Sequence, residues 1–220
     1  MLKKLVFKMP MLKLRQNMKM IKLITRLITP SLIFMSFFTY ANNSKTYDVD
    51  LYAGCIEMTY NIYDNQFIKE SEERFLQCFP KTFDRFVSIF GYSEDDTRGP
   101  FVENDKSYDY IELFFELSES NNQYDSIIRL GINGVWQIDN VAYLQHLLHS
   151  FLINNLDLAL EEMSKLSHRD LQSFWFFYFD GQLPLKSIPE EVYSIKDKNL
   201  RIYMAAEDEF NKVNNKMSEK

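Results

Sequence analysis

Residues Gly131–Phe151, GINGVWQIDNVAYLQHLLHSF, constrain the fold more than any other stretch of the chain. They join an Asn133-Gly134 pair to the most apolar amphipathic segment in the sequence. Asn-Gly between apolar runs is a strong hairpin signal, because a type I′ turn needs positive φ at both central residues. The same pair also suits the end of one helix and the start of another. The flanks bear on the choice. Tyr124, Ile127, Ile128 and Gly131 recur at helical spacing before the turn, and Val141, Leu144, Leu148, Phe151 and Leu152 do so after it. No third strand is legible nearby, and an isolated hairpin is marginal in water. Helix–turn–helix is the preferred reading, with Gly134 capping the first helix, the second starting near Asp139 and Trp136 packed between them. A hairpin over Ile127–Asp139 stays open.

The same periodicity runs through the rest of residues 51–216. Leu51–Tyr63 repeats Leu51, Cys55, Met58 and Ile62. Asn65–Phe79 repeats Phe67, Ser71, Phe75 and Cys78 before Pro80. Lys81–Phe90 places Phe83, Phe86, Val87 and Phe90 on one face, with Gly91 as its cap. Ser107–Leu117 carries Tyr108, Ile111, Phe114 and Phe115, and Leu156–Leu166 carries Leu158, Leu160, Met163 and Leu166. Ser167 is placed to cap a helix containing Leu171, Phe174, Trp175, Tyr178 and Phe179, which ends at Asp180-Gly181. Ser167–Gly181 is expected to pack on Gly131–Phe151. Lys198–Lys216 reads as a final, outermost helix with Leu200, Tyr203, Met204, Phe210 and Val213 on its apolar face. There is no fixed-period repeat. The expectation is all-α: an irregular bundle of eight or nine helices forming a single domain over residues 51–216.

Residues 1–41 differ in kind. They hold Lys3, Lys4, Lys8, Lys13, Arg15, Lys19, Lys22 and Arg26 and no acidic residue, then an apolar run Leu27–Ala41 ending Thr39-Tyr40-Ala41. A basic start, a short apolar core and small residues at the exit predict a secretory signal peptide, with a true start at Met18 or Met20 giving a more usual length. The apolar run is about 15 residues, short of the ~20 that a spanning helix needs. Residues 42–50 read as a flexible exit. The implied location is exported, periplasmic or extracellular. Eight of the 25 Lys and Arg leave with the signal and none of the 31 Asp and Glu, so 17 face 31 and the remaining chain carries −14. Such a charge disfavours nucleic acid and, once the signal is cleaved, an anionic membrane surface, and it suits a basic protein partner. The two cysteines, Cys55 and Cys78, are an even pair in an oxidising compartment and are expected to form a disulfide stapling an αα-hairpin.

Catalytic patterns are sparse. His146 and His149 lie three apart on one helix and, with a carboxylate or His168, could ligate a metal in a hydrolase of non-standard design. They lack the spacing and the adjacent Glu of the usual catalytic helix. No nucleophile elbow and no glycine-rich phosphate cradle occurs. The carboxylate pairs Glu72-Glu73, Asp95-Asp96, Glu161-Glu162 and Glu190-Glu191, and the triplet Glu207-Asp208-Glu209, sit among polar residues and read as solvated faces. The aromatic run Phe174–Phe179 could line an apolar-ligand carrier. Rings on all sides of one helix indicate a central buried helix instead. No cofactor is implied. The loop Tyr92–Lys106, with Glu94, Asp95, Asp96, Glu103 and Asp105, is the first candidate contact surface for a partner.

Three segments carry a resemblance. Cys-Phe-Pro-x-x-Phe-x-x-Phe-x-x-x-Phe-Gly (Cys78–Gly91), Asn-Gly-x-Trp-x-x-Asp (Asn133–Asp139) and Ser-Phe-Trp-x-Phe-x-Phe-Asp-Gly (Ser173–Gly181) together resemble a group of uncharacterised exported bacterial proteins of all-helical fold. That group brings no established activity with it. In general character the chain is also similar to periplasmic immunity proteins that neutralise secreted effectors. The implied function is a non-enzymatic exported binding protein, in its concrete form an immunity protein against a basic toxin.

Overall fold

Apolar side chains at helical period dominate this chain, and burying them on one another gives layers of helices around aromatic rings. The computed structural model describes residues 45–66, 69–93, 97–183 and 185–218. The chain divides into Met1–Asp48, of which only the start of the first helix is described, and Val49–Lys220, to which all that follows refers. The signal peptide expected over residues 1–41 lies outside the described residues. Ten α-helices and no strand occur among the described residues, so the fold is all-α.

In order these are α1 (Lys45–Gln66), α2 (Lys69–Cys78), α3 (Phe83–Phe90), α4 (Ser107–Ser120), α5 (Tyr124–Leu130), α6 (Asn140–Asn154), α7 (Leu156–Ser164), α8 (His168–Phe179), α9 (Glu190–Tyr193) and α10 (Leu200–Ser218), with a 3-10 turn Ser194–Asp197 before α10. The first helix starts at Lys45, inside the stretch 42–50 expected as a flexible exit. Cys55 in α1 and Cys78 at the end of α2 are joined in a disulfide, with Cα atoms 5.7 Å apart.

Two aromatic clusters fill the core. In the first, Phe79, just after α2, stacks on Phe114 of α4 with centroids 4.2 Å apart, and Phe75, Phe86 and Phe90 close around Phe79. The second is centred on α8, where Phe174, Trp175, Phe177, Tyr178 and Phe179 are buried and Phe176 is half-buried. Phe83 against Phe177, at 5.1 Å, links the clusters. The run Phe174–Phe179 is therefore core. Ser167 caps α8 by accepting from the Asp170 amide, and Thr82 caps α3 in the same way.

The turn after α5 resolves the ambiguity in Gly131–Phe151. Ile127–Asp139 is helix–turn–helix, but Gly134 is not the cap. Gly131 occupies the C-cap of α5, and Asn133 takes the left-handed conformation at φ 60°. Gly134 serves packing: a Cβ there would come within 2.3 Å of the Phe177 ring, so a bare backbone lets α8 approach. Trp136 is half-buried, and its amide donates to Asp180 Oδ2 at 3.0 Å.

Polar side chains fasten this stretch to its neighbours. Asn140 donates to the Phe90 and Phe101 carbonyls at 2.9 and 3.1 Å. Gln137 accepts from the Tyr92 amide and donates to the Tyr92 carbonyl. Gln145 reaches the Phe177 and Asp180 carbonyls, so Ser167–Gly181 does pack on Gly131–Phe151.

Of the apolar face expected for the last helix, Tyr203 and Val213 are buried and Phe210 packs on Phe179 at 5.4 Å, but two positions differ. Leu200 and Met204 are 57% and 54% exposed, while Ile202, Ala205, Ala206 and Glu209 are buried on this helix, which packs on α8. The small residues Ala205 and Ala206 let α10 close on the bulky α8. An apolar count skipped them in favour of larger side chains pointing to solvent.

Candidate functional site

The surface with the most concentrated chemistry is built on α4. Six of its apolar or aromatic residues, Tyr110, Ile111, Leu113, Phe114, Phe115 and Leu117, are buried. Its other face carries Asp109, Glu112, Glu116 and Glu119, spaced three, four and three apart and so aligned along the helix. The first three are exposed and Glu119 is half-buried. Among the described residues none of the four forms an ion pair; their partners are neutral. Glu112 accepts from the Tyr143 hydroxyl, Asp109 from the Tyr60 hydroxyl at 3.5 Å, and Glu119 from Asn155 Nδ2 at 3.1 Å.

Tyrosines from three helices border it. Tyr108 of α4 is 44% exposed, although its spacing had placed it with the core. Its ring centroid is 4.4 Å from that of Tyr143 of α6, which is 6.3 Å from that of the exposed His146. From α1, Tyr60 reaches Asp109 through its hydroxyl and Tyr63 lies within the influence of Glu116. The carboxylates are felt in every one of these phenols that responds. Tyr143 is pushed up to about 12, by partial burial first and then by the hydrogen bond and charge of Glu112. Burial and then Asp109 raise Tyr60, and burial followed by Glu116 and Glu72 raises Tyr63. All three phenols therefore stay protonated at neutral pH and act as donors and as ring faces.

The sequence-predicted positions fare differently. Glu94, Asp95 and Asp96 lie outside the described residues. Glu103 and Asp105 are exposed, but Glu103 is paired with Arg98 at 2.7 Å, so part of the loop's charge is already neutralised. His146 and His149 do not converge. His149 turns inward, with Nε2 2.9 Å from the Tyr178 carbonyl and its ring 4.0 Å from that of Tyr178, while His146 faces solvent. His168 is exposed at the start of α8. Among the described residues no three of His, Cys, Asp and Glu are grouped around one position suited to a metal ion. Of the carboxylates expected to be solvated, Glu209 is buried and Glu191 half-buried. Glu209 is 5% exposed with Lys212 at 2.6 Å, and Glu191 accepts the Tyr178 hydroxyl at 2.9 Å.

The α4 stripe was legible in the sequence as acids at positions 109, 112, 116 and 119, complementary to the apolar face. Runs of adjacent acids drew the eye elsewhere. Among the described residues no helix is long and apolar enough to cross a membrane. Comparison with family models, curated proteins and solved structures finds no match to this chain.

Proposed function

We propose that this chain is an exported, non-enzymatic binding protein whose acidic, tyrosine-bordered face takes a basic protein partner, in the manner of a periplasmic immunity protein. The observation that carries the reading is the α4 stripe, four aligned carboxylates that form no ion pair among the described residues, beside the exposed Tyr108 and half-buried Tyr143 rings on a helical support. Like charges held at i, i+3 and i, i+4 cost stability in isolation. A basic surface laid on them removes that cost and gains steering at long range. The Cys55–Cys78 disulfide and the basic, then apolar, first 41 residues support export. The resemblance to exported helical proteins over Cys78–Gly91, Asn133–Asp139 and Ser173–Gly181 points the same way.

The test has two arms. Mass spectrometry of the chain from the exported fraction is expected to find a new N-terminus at Asn42. Immobilised chain is expected to retain from its native host, at low salt, a protein rich in Lys and Arg that elutes as salt rises and whose toxicity the chain suppresses. An intact N-terminus inside the cell, or no basic protein retained, overturns the reading.

A further inference from the structure

The acidic face of α4 is bordered by rings as well as by charge. We propose that the ladder Tyr108–Tyr143–His146, edged by Asp109 and Glu112, is the contact itself, and that it selects arginine over lysine in the partner. This rests on the basic-partner reading above and narrows it.

The ladder spans two helices that pack together, α4 and α6, so its spacing is set by the core. Exposed tyrosines on rigid elements are favoured anchors, because a ring offers area at small cost in conformational freedom. A guanidinium is planar, stacks on a ring and still presents N–H groups sideways to a carboxylate. An ammonium is a hydrated point charge that cannot do both at once. Carboxylates one and four residues from Tyr108 on the same helix supply the acceptors. The chain shows both cation types on tyrosine rings of α1: Arg85 lies 4.6 Å from the Tyr52 centroid, and Lys106 lies 5.4 Å from that of Tyr60. Elsewhere Arg98 lies 5.9 Å from the Tyr92 centroid and Lys196 5.3 Å from that of Tyr203, so distance alone does not separate the two cations; the sideways N–H groups do. The acidic loop offers a weaker contact, since Glu103 already holds Arg98.

The experiment uses the full chain and two synthetic peptides of equal length and charge, one arginine-rich and one lysine-rich, with affinities measured by calorimetry at low salt. Wild type is expected to prefer the arginine peptide by about two- to fivefold, the worth of a ring–cation contact on an accessible surface. Tyr108→Leu/Tyr143→Leu should abolish the preference while leaving salt-sensitive binding to both peptides. Tyr108→Phe/Tyr143→Phe, which keeps the rings, should retain it, and Glu103→Gln/Asp105→Asn should not change it. Equal affinities in wild type, a preference that survives the leucine pair, or binding of neither peptide overturns the proposal. Undiminished capture of a basic partner by the leucine pair, with its helical circular dichroism and melting intact, overturns the ladder and leaves the basic-partner reading standing. Absence of any basic partner overturns that reading itself.

Discussion

Asn140 offers the sharpest test of how this fold is held together. It is 1% exposed, and its Nδ2 donates to the Phe90 carbonyl at the end of α3 and to the Phe101 carbonyl in the following loop. Asn140→Leu removes both donors, and its larger side chain adds an overpacking cost at a site with no spare room. Each buried carbonyl left without its partner costs roughly 1–3 kcal/mol, and added apolar burial returns part of that, so a net loss of about 2–4 kcal/mol is expected. For a domain of this size that lowers Tm by roughly 5–15 °C. Urea denaturation followed by circular dichroism should show a lower midpoint with an unchanged slope, since native and unfolded areas stay alike. Asn140→Asp sharpens the logic. At neutral pH it sets an ionised acceptor against two carbonyls and should cost at least as much as leucine. On acidification the protonated acid regains one donor, and the gap to wild type should narrow. A loss below about 0.5 kcal/mol for leucine, or an aspartate variant as stable as wild type, would refute the assignment of Asn140 as a two-point staple.

Other consequences are simpler to read. Replacing Cys55 and Cys78 by serine frees a loop of sequence separation 23 and should cost on the order of 3 kcal/mol, seen as a lower denaturation midpoint and absent when wild type is measured under reducing conditions. His149 has its pKa lowered by burial, against the opposing influence of the Tyr178 carbonyl and Glu191, with His146 adding to the lowering. The unfolded chain therefore binds a proton first as pH falls through about 6.5, and stability drops there. His149→Gln should flatten that part of the stability–pH curve relative to wild type, and parallel curves would sink the idea. Gly54 in α1 has open space around its Cα, so Gly54→Ala should raise stability by about 0.5–1 kcal/mol. Gly134→Ala meets the Phe177 ring and should lower it, and equal effects from the two would contradict the packing described.

The helical class was open to reading because large apolar residues recur at three and four along almost every segment, and no competing strand signal had a partner. Caps at Ser167 and Gly91 were equally plain, since each rests on one side chain or one missing side chain next to a periodic run. Failures came where size misled. Leu200 and Met204 looked like core and are exposed, whereas the small Ala205 and Ala206 of the same helix are fully buried. Tyr108 was counted inward for the same reason. Gly134 was taken as a conformational device, but Asn133 supplies the unusual φ and Gly134 supplies clearance. The candidate face was missed because its acids are separated by apolar residues. Only the helix brings Asp109, Glu112, Glu116 and Glu119 into line, and only tertiary packing brings Tyr143 beside them.

These failures share a physical origin that bears on how the chain reaches one structure. A core made chiefly of phenylalanine is permissive, since rings of one size can trade places among neighbouring pockets at little cost in buried area. Something else must choose among such packings. Here Asn140, Gln145, Gln137 and Asp180 each bind backbone groups 39 to 50, 32 to 35, 45 and 44 residues away. A helix turned by one residue would bury those amides without partners, at a cost that ring contacts alone would not impose. The stretch Asn133–Gln145 thus acts less as additional hydrophobic mass than as the set of directional bonds that fixes how α3, α6 and α8 meet. Because α4 packs on α6, the same bonds set the spacing of Tyr108 from Tyr143. Loosening Asn140 should therefore weaken any selectivity of that ladder before it unfolds the chain.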